Sequence, residues 1–379
     1  MKLTRLLVAL LVSPVAVQAD IPPAPASAGA DLAAFRTRLL AATTRHLNQL
    51  LATNGSVAWL KGKASDGEEA LAFYRGFELT GDPRFRRAAL TLADRVLKDM
   101  RAMKYGVLLI KEKSRPGGET IAGGGPPALG FYVAAVAYVS HQEGGRNDDL
   151  KYLGTVIDQY PWNAGGWWAA DVDVQTGESK MPLSKPSPIN KTAAMAMAAG
   201  MLSEALRRID PELAARLKQK TDQCLYAQII PAQLADGFWH YGLTGNDPKN
   251  KDILGYFMLT TQVLMELQYF NPAYREPRLD AALHKAQEFA LRSIAPMTAP
   301  NTNAAGAAHG TPSTPRHYSP ATNPKRGFQL GLILIGAGHF HAGTEIMEAA
   351  LPYFPSGDAG MEGVHAAAPS AAILVRLPP

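Results

Sequence analysis

Five times along this chain, an apolar, small-residue segment of helical length is joined by a few residues to a second, charged segment of helical length. Each pair is then followed by a long connection rich in Gly, Trp, Tyr, Pro and Asp. The expected first members span about 67–80, 125–142, 190–208, 255–270 and 327–340. The expected second members span about 83–103, 148–159, 211–229, 277–293 and 344–353. Several first members have no polar face, as in the run from Ala193 to Gly200, and a helix apolar all round must be buried. The second members, such as Arg86 to Arg95, alternate charged and apolar positions, the mark of an outward helix with one buried stripe.

Second-member starts fall at positions 82, 148, 210, 271 and 344, about 65 residues apart. Asp82-Pro83, Asp210-Pro211 and Asn271-Pro272 carry a capping side chain followed by a first-turn proline, a strong signal for a helix N-terminus. Asp148 and Thr344 are starts without proline. An inner ring of apolar helices wrapped by an outer ring of amphipathic ones is an all-α, double-layered α/α toroid of about six hairpins. The sixth is expected from an N-terminal helix at about 31–53 and a C-terminal segment at about 359–375.

Residues 1–19 read as an export signal: Lys2 and Arg5, an apolar run from Leu6 to Val12, and the small-residue cleavage motif Val17-Gln18-Ala19. Residues 20–30 read as a flexible leader and 31–379 as one toroid domain. The expected location is therefore periplasmic or secreted, with no membrane span after signal removal. The net charge of +5 falls to about +3 without Lys2 and Arg5, too little for a nucleic-acid binder and mildly in favour of an anionic ligand. Cys224 is the one cysteine and is expected to be a buried thiol.

The stretch from Asp66 to Arg75, running on through Leu79-Thr80-Gly81-Asp82-Pro83-Arg84-Phe85, resembles a hairpin of the α/α-barrel carbohydrate-active enzymes. These include six-hairpin glycosidases and polysaccharide lyases, pectate lyases among them. The resemblance lies in repeat style across most of the chain; the Asn-Asn-His run of one alginate lyase group is absent. It implies an exported enzyme that cleaves glycosidic bonds, with a polysaccharide or oligosaccharide as partner.

Long loops held at one end of a rigid scaffold are where such chemistry would sit. The loop at about 160–189 holds Trp162, Trp167 and Trp168 beside Asp171 and Asp173, a candidate stacking platform next to a carboxylate. The loop at about 230–254 holds Asp236, Trp239, His240, Tyr241 and Asp252, leading to Tyr256. His240 is the leading proton-transfer candidate because imidazole titrates near neutrality, with Tyr241 as partner acid. The loop at about 294–326 ends in His317, Tyr318 and Arg326, a second acid/base group with a guanidinium that can grip a sugar carboxylate. Glu69 and Asn190 open two inner helices, where each could touch ligand or act only in capping.

Two chemistries stay open. A lyase on a uronic-acid polymer would use His240, Tyr241, His317, Tyr318 and Arg326. A hydrolase would pair Asp171 or Asp173 with Asp236, Asp252 or Glu69. The His-Tyr pairs on two loops and the basic balance favour the lyase by a thin margin. A silent glycan-binding or scaffold protein is the rival from another class. No cofactor is required. Calcium is compatible with Asp171, Asp173, Asp247 and Asp252, although their spacing does not demand it.

Overall fold

The computed structural model describes residues 29–52, 66–102, 126–170, 172, 177–179, 182–241, 254–296, 316–318 and 324–353. The expected signal (1–19), most of the leader and the expected closing segment (359–375) lie outside the described residues. Helix α1 (Gly29–Ala52) is followed by five helix pairs. These are α2 (Asp66–Thr80) with α3 (Pro83–Arg101), α4 (Pro126–Glu143) with α5 (Asn147–Gln159), and α6 (Ile189–Leu206) with α7 (Pro211–Cys224). The last two are α8 (Leu254–Phe270) with α9 (Pro277–Ser293), and α10 (Pro324–Gly336) with α11 (Phe340–Ala350). None of the described helices is long and apolar enough to cross a membrane.

Inner helices pack side by side in the order α2, α4, α6, α8, α10, and outer helices α3, α5 and α9 also lie against the next inner helix. Helix α1 packs on both α11 and α2, and Arg38 of α1 pairs with Glu348 of α11. The described chain thus turns back on its first pair, a double-layered α/α toroid with α1 at the closure. Helices joined by short turns run antiparallel, so all inner helices point the same way. Their N-termini, fed by the long loops, form one end of the ring, the mouth; their C-termini form the floor.

Local chemistry sets these boundaries. Asp82 accepts the Arg84 amide at 2.9 Å and Asp210 the Leu213 amide at 3.1 Å, each beside a first-turn proline. Asn271 caps a 3-10 turn, Pro272–Tyr274, and α9 begins only at Pro277. Thr344 lies inside α11, which starts at Phe340 behind His339, so the expected fifth start is four residues late. Helix α7 continues as a π-helical turn over Leu225–Ile229. The inner layer needs small residues because its backbones nearly touch: a Cβ at Gly130 of α4 would stand 2.5 Å from the Ala194 carbonyl of α6. Cys224 is buried, its Sγ 3.3 Å from Thr192 Oγ1, and burial pushes its thiol pKa up to about 12.

Two small ribbons sit at the mouth. Strands β1 (Trp162–Asn163) and β2 (Trp167–Trp168) form an antiparallel hairpin, while β3 (Ile294–Pro296) and β4 (Arg316–Tyr318) pair in parallel.

Candidate functional site at the mouth of the ring

The loops that enter α6 and α8 are tied together at the mouth. Ser187 Oγ donates to the Trp168 carbonyl, and two residues on the Ile189 amide donates to the Tyr241 carbonyl at 2.9 Å. The segment before α6 therefore anchors the tryptophan loop and the His-Tyr loop at the same end of the ring.

The tryptophans serve that anchoring. Trp168 is fully buried, with its Nε1 donating to the Ile157 carbonyl at 3.3 Å. Trp239 is likewise buried and donates to the Ile229 carbonyl at 3.0 Å. Neither indole offers a face to a ligand, contrary to expectation. Trp167 is partly buried and donates to the Leu183 carbonyl at 3.0 Å. Trp162 packs edge-on to Trp168 at 4.5 Å between ring centroids, with the Lys220 ammonium of α7 at 5.9 Å. The hairpin is pinned to the end of α7 by Gln223 and Gln228, which donate to the Ala164 and Gly165 carbonyls. An amphipathic ring inserted with its N–H paired gives a loop a fixed seat.

Asp236 is also a turn residue. Its Oδ1 accepts the Phe238 amide at 3.0 Å, in a bend where Gly237 has φ of 99° and its absent Cβ would meet the Lys285 carbonyl. This turn delivers the next residues to the mouth. Phe238 goes into the core, stacked on Phe257 at 5.0 Å, and the partly buried His240 ring stands edge-on to Phe238 at 5.8 Å. Tyr241 lies against Tyr256, from the first turn of α8, with centroids 4.9 Å apart and planes 31° from parallel.

Arg326 reaches the same place from the first turn of α10. Its guanidinium lies against Gly255, next to Tyr256, and its Nη1 donates to Gln329 Oε1 at 2.5 Å. Gln329 then donates from Nε2 to Gln262 Oε1 of α8 at 2.5 Å. Burial works against the Arg326 charge and the neighbouring Tyr256 hydroxyl favours it; the net effect lowers its pKa to about 10. Among the described residues no carboxylate pairs with it. Asn190, in the first turn of α6, is 3% exposed and its Oδ1 accepts no hydrogen bond among the described residues, while Pro188 occupies the cap position in its stead.

Tyr241, Tyr256 and Arg326 are therefore brought together, by three different elements, while His240 precedes Tyr241 in the chain and its printed ring contact is with Phe238. Ala295 and Pro296 face His317 and Tyr318 in the β3–β4 register, which fixes the backbone of that pair next to α9. Glu69 falls in the first turn of α2. Asp171, Asp173, Asp247 and Asp252 lie outside the described residues. No group of three His, Cys, Asp or Glu gathers among the described residues. Sequence reasoning missed Gln262, Gln329 and Gly255, which hold Arg326. The only available signal was a glutamine on each of two largely apolar inner helices.

No family model matches the chain, and no curated protein matches it. Several solved structures are similar to it. One is a possible member of the GH105 family from Salmonella enterica serovar Paratyphi A, 13% identical with a TM-score of 0.45, the match covering 87% of this chain and 98% of that one. Another is the unsaturated glucuronyl hydrolase from Bacillus sp. GL1, described as responsible for the degradation of glycosaminoglycan. It is 13% identical with a TM-score of 0.38, over 69% of this chain and 83% of that one. A third, a UGL variant with the oligosaccharide dGlcA-Glc-Rha-Glc, is 14% identical with a TM-score of 0.42. That match covers 70% of this chain and 66% of that one, so this chain spans just under two thirds of its length.

Proposed function

We propose that the protein is an exported carbohydrate-active enzyme that binds a uronic-acid-containing polysaccharide across the mouth of the ring and cleaves its glycosidic bonds by elimination. The observation that carries this reading is Arg326: a guanidinium without a carboxylate partner among the described residues, beside the Tyr241–Tyr256 pair and near the His240 segment. The paired tyrosine rings offer an apolar edge for a pyranose, and the guanidinium offers charge for its carboxylate.

In this reading the sugar carboxylate docks on Arg326, which makes the adjacent C5 proton more acidic by stabilising the charge that develops on the carboxylate. His240 removes that proton, the C4–O bond breaks, and a C4–C5 double bond forms. The leaving oxygen takes a proton from Tyr241. What supports His240 in this role is that its ring is partly buried rather than sealed in the core and that it precedes Tyr241 in the chain. Export through residues 1–19 would put the enzyme where polymers of this size are met.

The test is to incubate the purified protein with uronic-acid polymers and with neutral polymers. New near-ultraviolet absorbance, from the unsaturated product, is expected only with the former. New reducing ends without absorbance would replace elimination by hydrolysis. Polymer that is bound but left intact would overturn both and leave a glycan-binding protein.

A further inference from the structure

The described neighbours that position Arg326 carry no charge. Arginine can only donate, so Gln329 must turn its carbonyl oxygen to Arg326, which leaves its amide nitrogen for Gln262. Gln329 is fully buried and Gln262 nearly so, and this chain of bonds runs between α10 and α8 inside the inner layer. On its other side, a Cβ at Gly255 would stand 2.9 Å from Nη2, 3.0 Å from Cζ and 3.1 Å from Nε. Any side chain at position 255 would force the guanidinium to shift from this seat.

A glutamate at 329 would have the same length and would neutralise Arg326 where it stands. A ligand carboxylate would then have to compete with a built-in one. Glutamine holds the same geometry and leaves the charge unspent.

We propose that Gln329 and Gly255 are positioning residues that keep Arg326 a cation without a counterion among the described residues, and that they thereby set the mouth to accept a carboxylate-bearing sugar and refuse its neutral counterpart. The proposal rests on the uronate reading of the mouth and names the residues that set its charge selectivity. An uncompensated charge in a partly desolvated niche costs the folded protein stability until an anion arrives. Selectivity follows because a neutral sugar brings the same ring but leaves that cost unrelieved.

Thermal unfolding and binding of free glucuronate, with glucose as the neutral control, test the proposal on the full-length protein. In the unchanged protein, glucuronate is expected to raise Tm and glucose to leave it unmoved. Gln329→Glu is expected to raise the ligand-free Tm and abolish the glucuronate shift. Gly255→Ala is expected to leave the ligand-free Tm nearly unchanged while glucuronate affinity falls by about tenfold or more. A Gln329→Glu protein that melts lower without ligand, or that keeps its glucuronate response, overturns the proposal. If glucuronate fails to stabilise the unchanged protein while Gln329→Glu still melts higher, the uncharged relay stands and the uronate reading falls.

Discussion

Two arginines occupy the inner layer, one at each end of the ring, and they are built in opposite ways. Arg75, late in α2, is 1% exposed. Its guanidinium lies 4.2 Å from the Tyr138 ring centroid of α4 and 4.5 Å from that of Tyr269 of α8. Nη1 donates to the Tyr269 hydroxyl at 2.5 Å, and Nε stands 3.7 Å from Glu78, which also accepts from Tyr138 at 2.5 Å. Burial opposes the Arg75 charge, but the tyrosines, Glu78 and Glu266 more than offset it, and its pKa ends above the ordinary arginine value. Arg326 at the mouth meets burial with, among the described residues, tyrosine and glutamine beside it, and its pKa ends below. The floor compensates its buried charge and ties three inner helices across the axis, although Arg75 Nε is left without a hydrogen bond among the described residues. At the mouth no carboxylate among the described residues does the same for Arg326, and a charge of that kind is what an anionic ligand can complete.

The contrast predicts opposite signs for similar truncations. Arg75→Met removes the cation that Glu78 and Glu266 face and should destabilise the fold by about 3–5 kcal/mol, the cost of stranding buried partners. Thermal or denaturant unfolding measures it, and an unchanged Tm would show that the floor contacts are incidental. Arg326→Met strands no carboxylate among the described residues. Its Tm should hold or rise, while kcat/KM on a uronic-acid polymer drops by on the order of a hundredfold. If instead Arg326→Met unfolds the protein while Arg75→Met does not, the assignment of the two ends is reversed.

Much of this architecture was legible because it is written locally. Asp82 and Asp210 announce helix starts by their own side chains, and the Ala-Met run of α6 can only be an inner helix. The ribbons at the mouth were not legible, since two- and three-residue strands are too short to show alternation. The burial of Trp168 and Trp239 was not legible for a related reason. A Trp in a Gly-rich loop reads the same whether its indole is offered to ligand or, as in Trp168 and Trp239, sunk into the layer below. His240, Tyr241, Tyr256 and Arg326 could be named from their chemistry. The convergence of the last three, and the link from Arg326 through Gln329 to Gln262, depends on pairing residues 67 positions apart, which no local pattern encodes.

Trp239 sharpens the comparison on a smaller scale, because it separates anchoring from ligand contact. Trp239→Phe keeps most of the apolar volume and deletes the 3.0 Å bond to the Ile229 carbonyl, leaving that acceptor unpaired. A loss of about 1 kcal/mol in stability is expected. The KM for a uronic-acid polymer should change little, whereas a residue that stacked on sugar would raise it in proportion to lost binding. A large rise in KM with stability intact would return Trp239 to the binding surface.

The smallest effect isolates the outer layer, where neither inner arginine changes charge. Glu143 is sheltered, which raises its pKa, but hydrogen bonds from Arg86 and Tyr74 lower it further, and the net direction is down from 4.5. A carboxylate whose folded pKa is depressed adds stability that is complete above its unfolded pKa. That stability is lost as pH falls through the folded value. Asp149, paired with Arg101 and Arg146, and Asp158, paired with Arg216 and Lys220, are shifted the same way. Stability should therefore be level above about pH 5 and decline below about pH 4. Because Arg86 is exposed to solvent, Glu143→Gln should remove only a few tenths of a kcal/mol at neutral pH. The same variant should flatten the acid limb of a Tm-against-pH curve, and high salt should shrink the difference. An acid limb of unchanged slope in Glu143→Gln would move the acid sensitivity away from the Glu143 pair and toward Asp149 and Asp158.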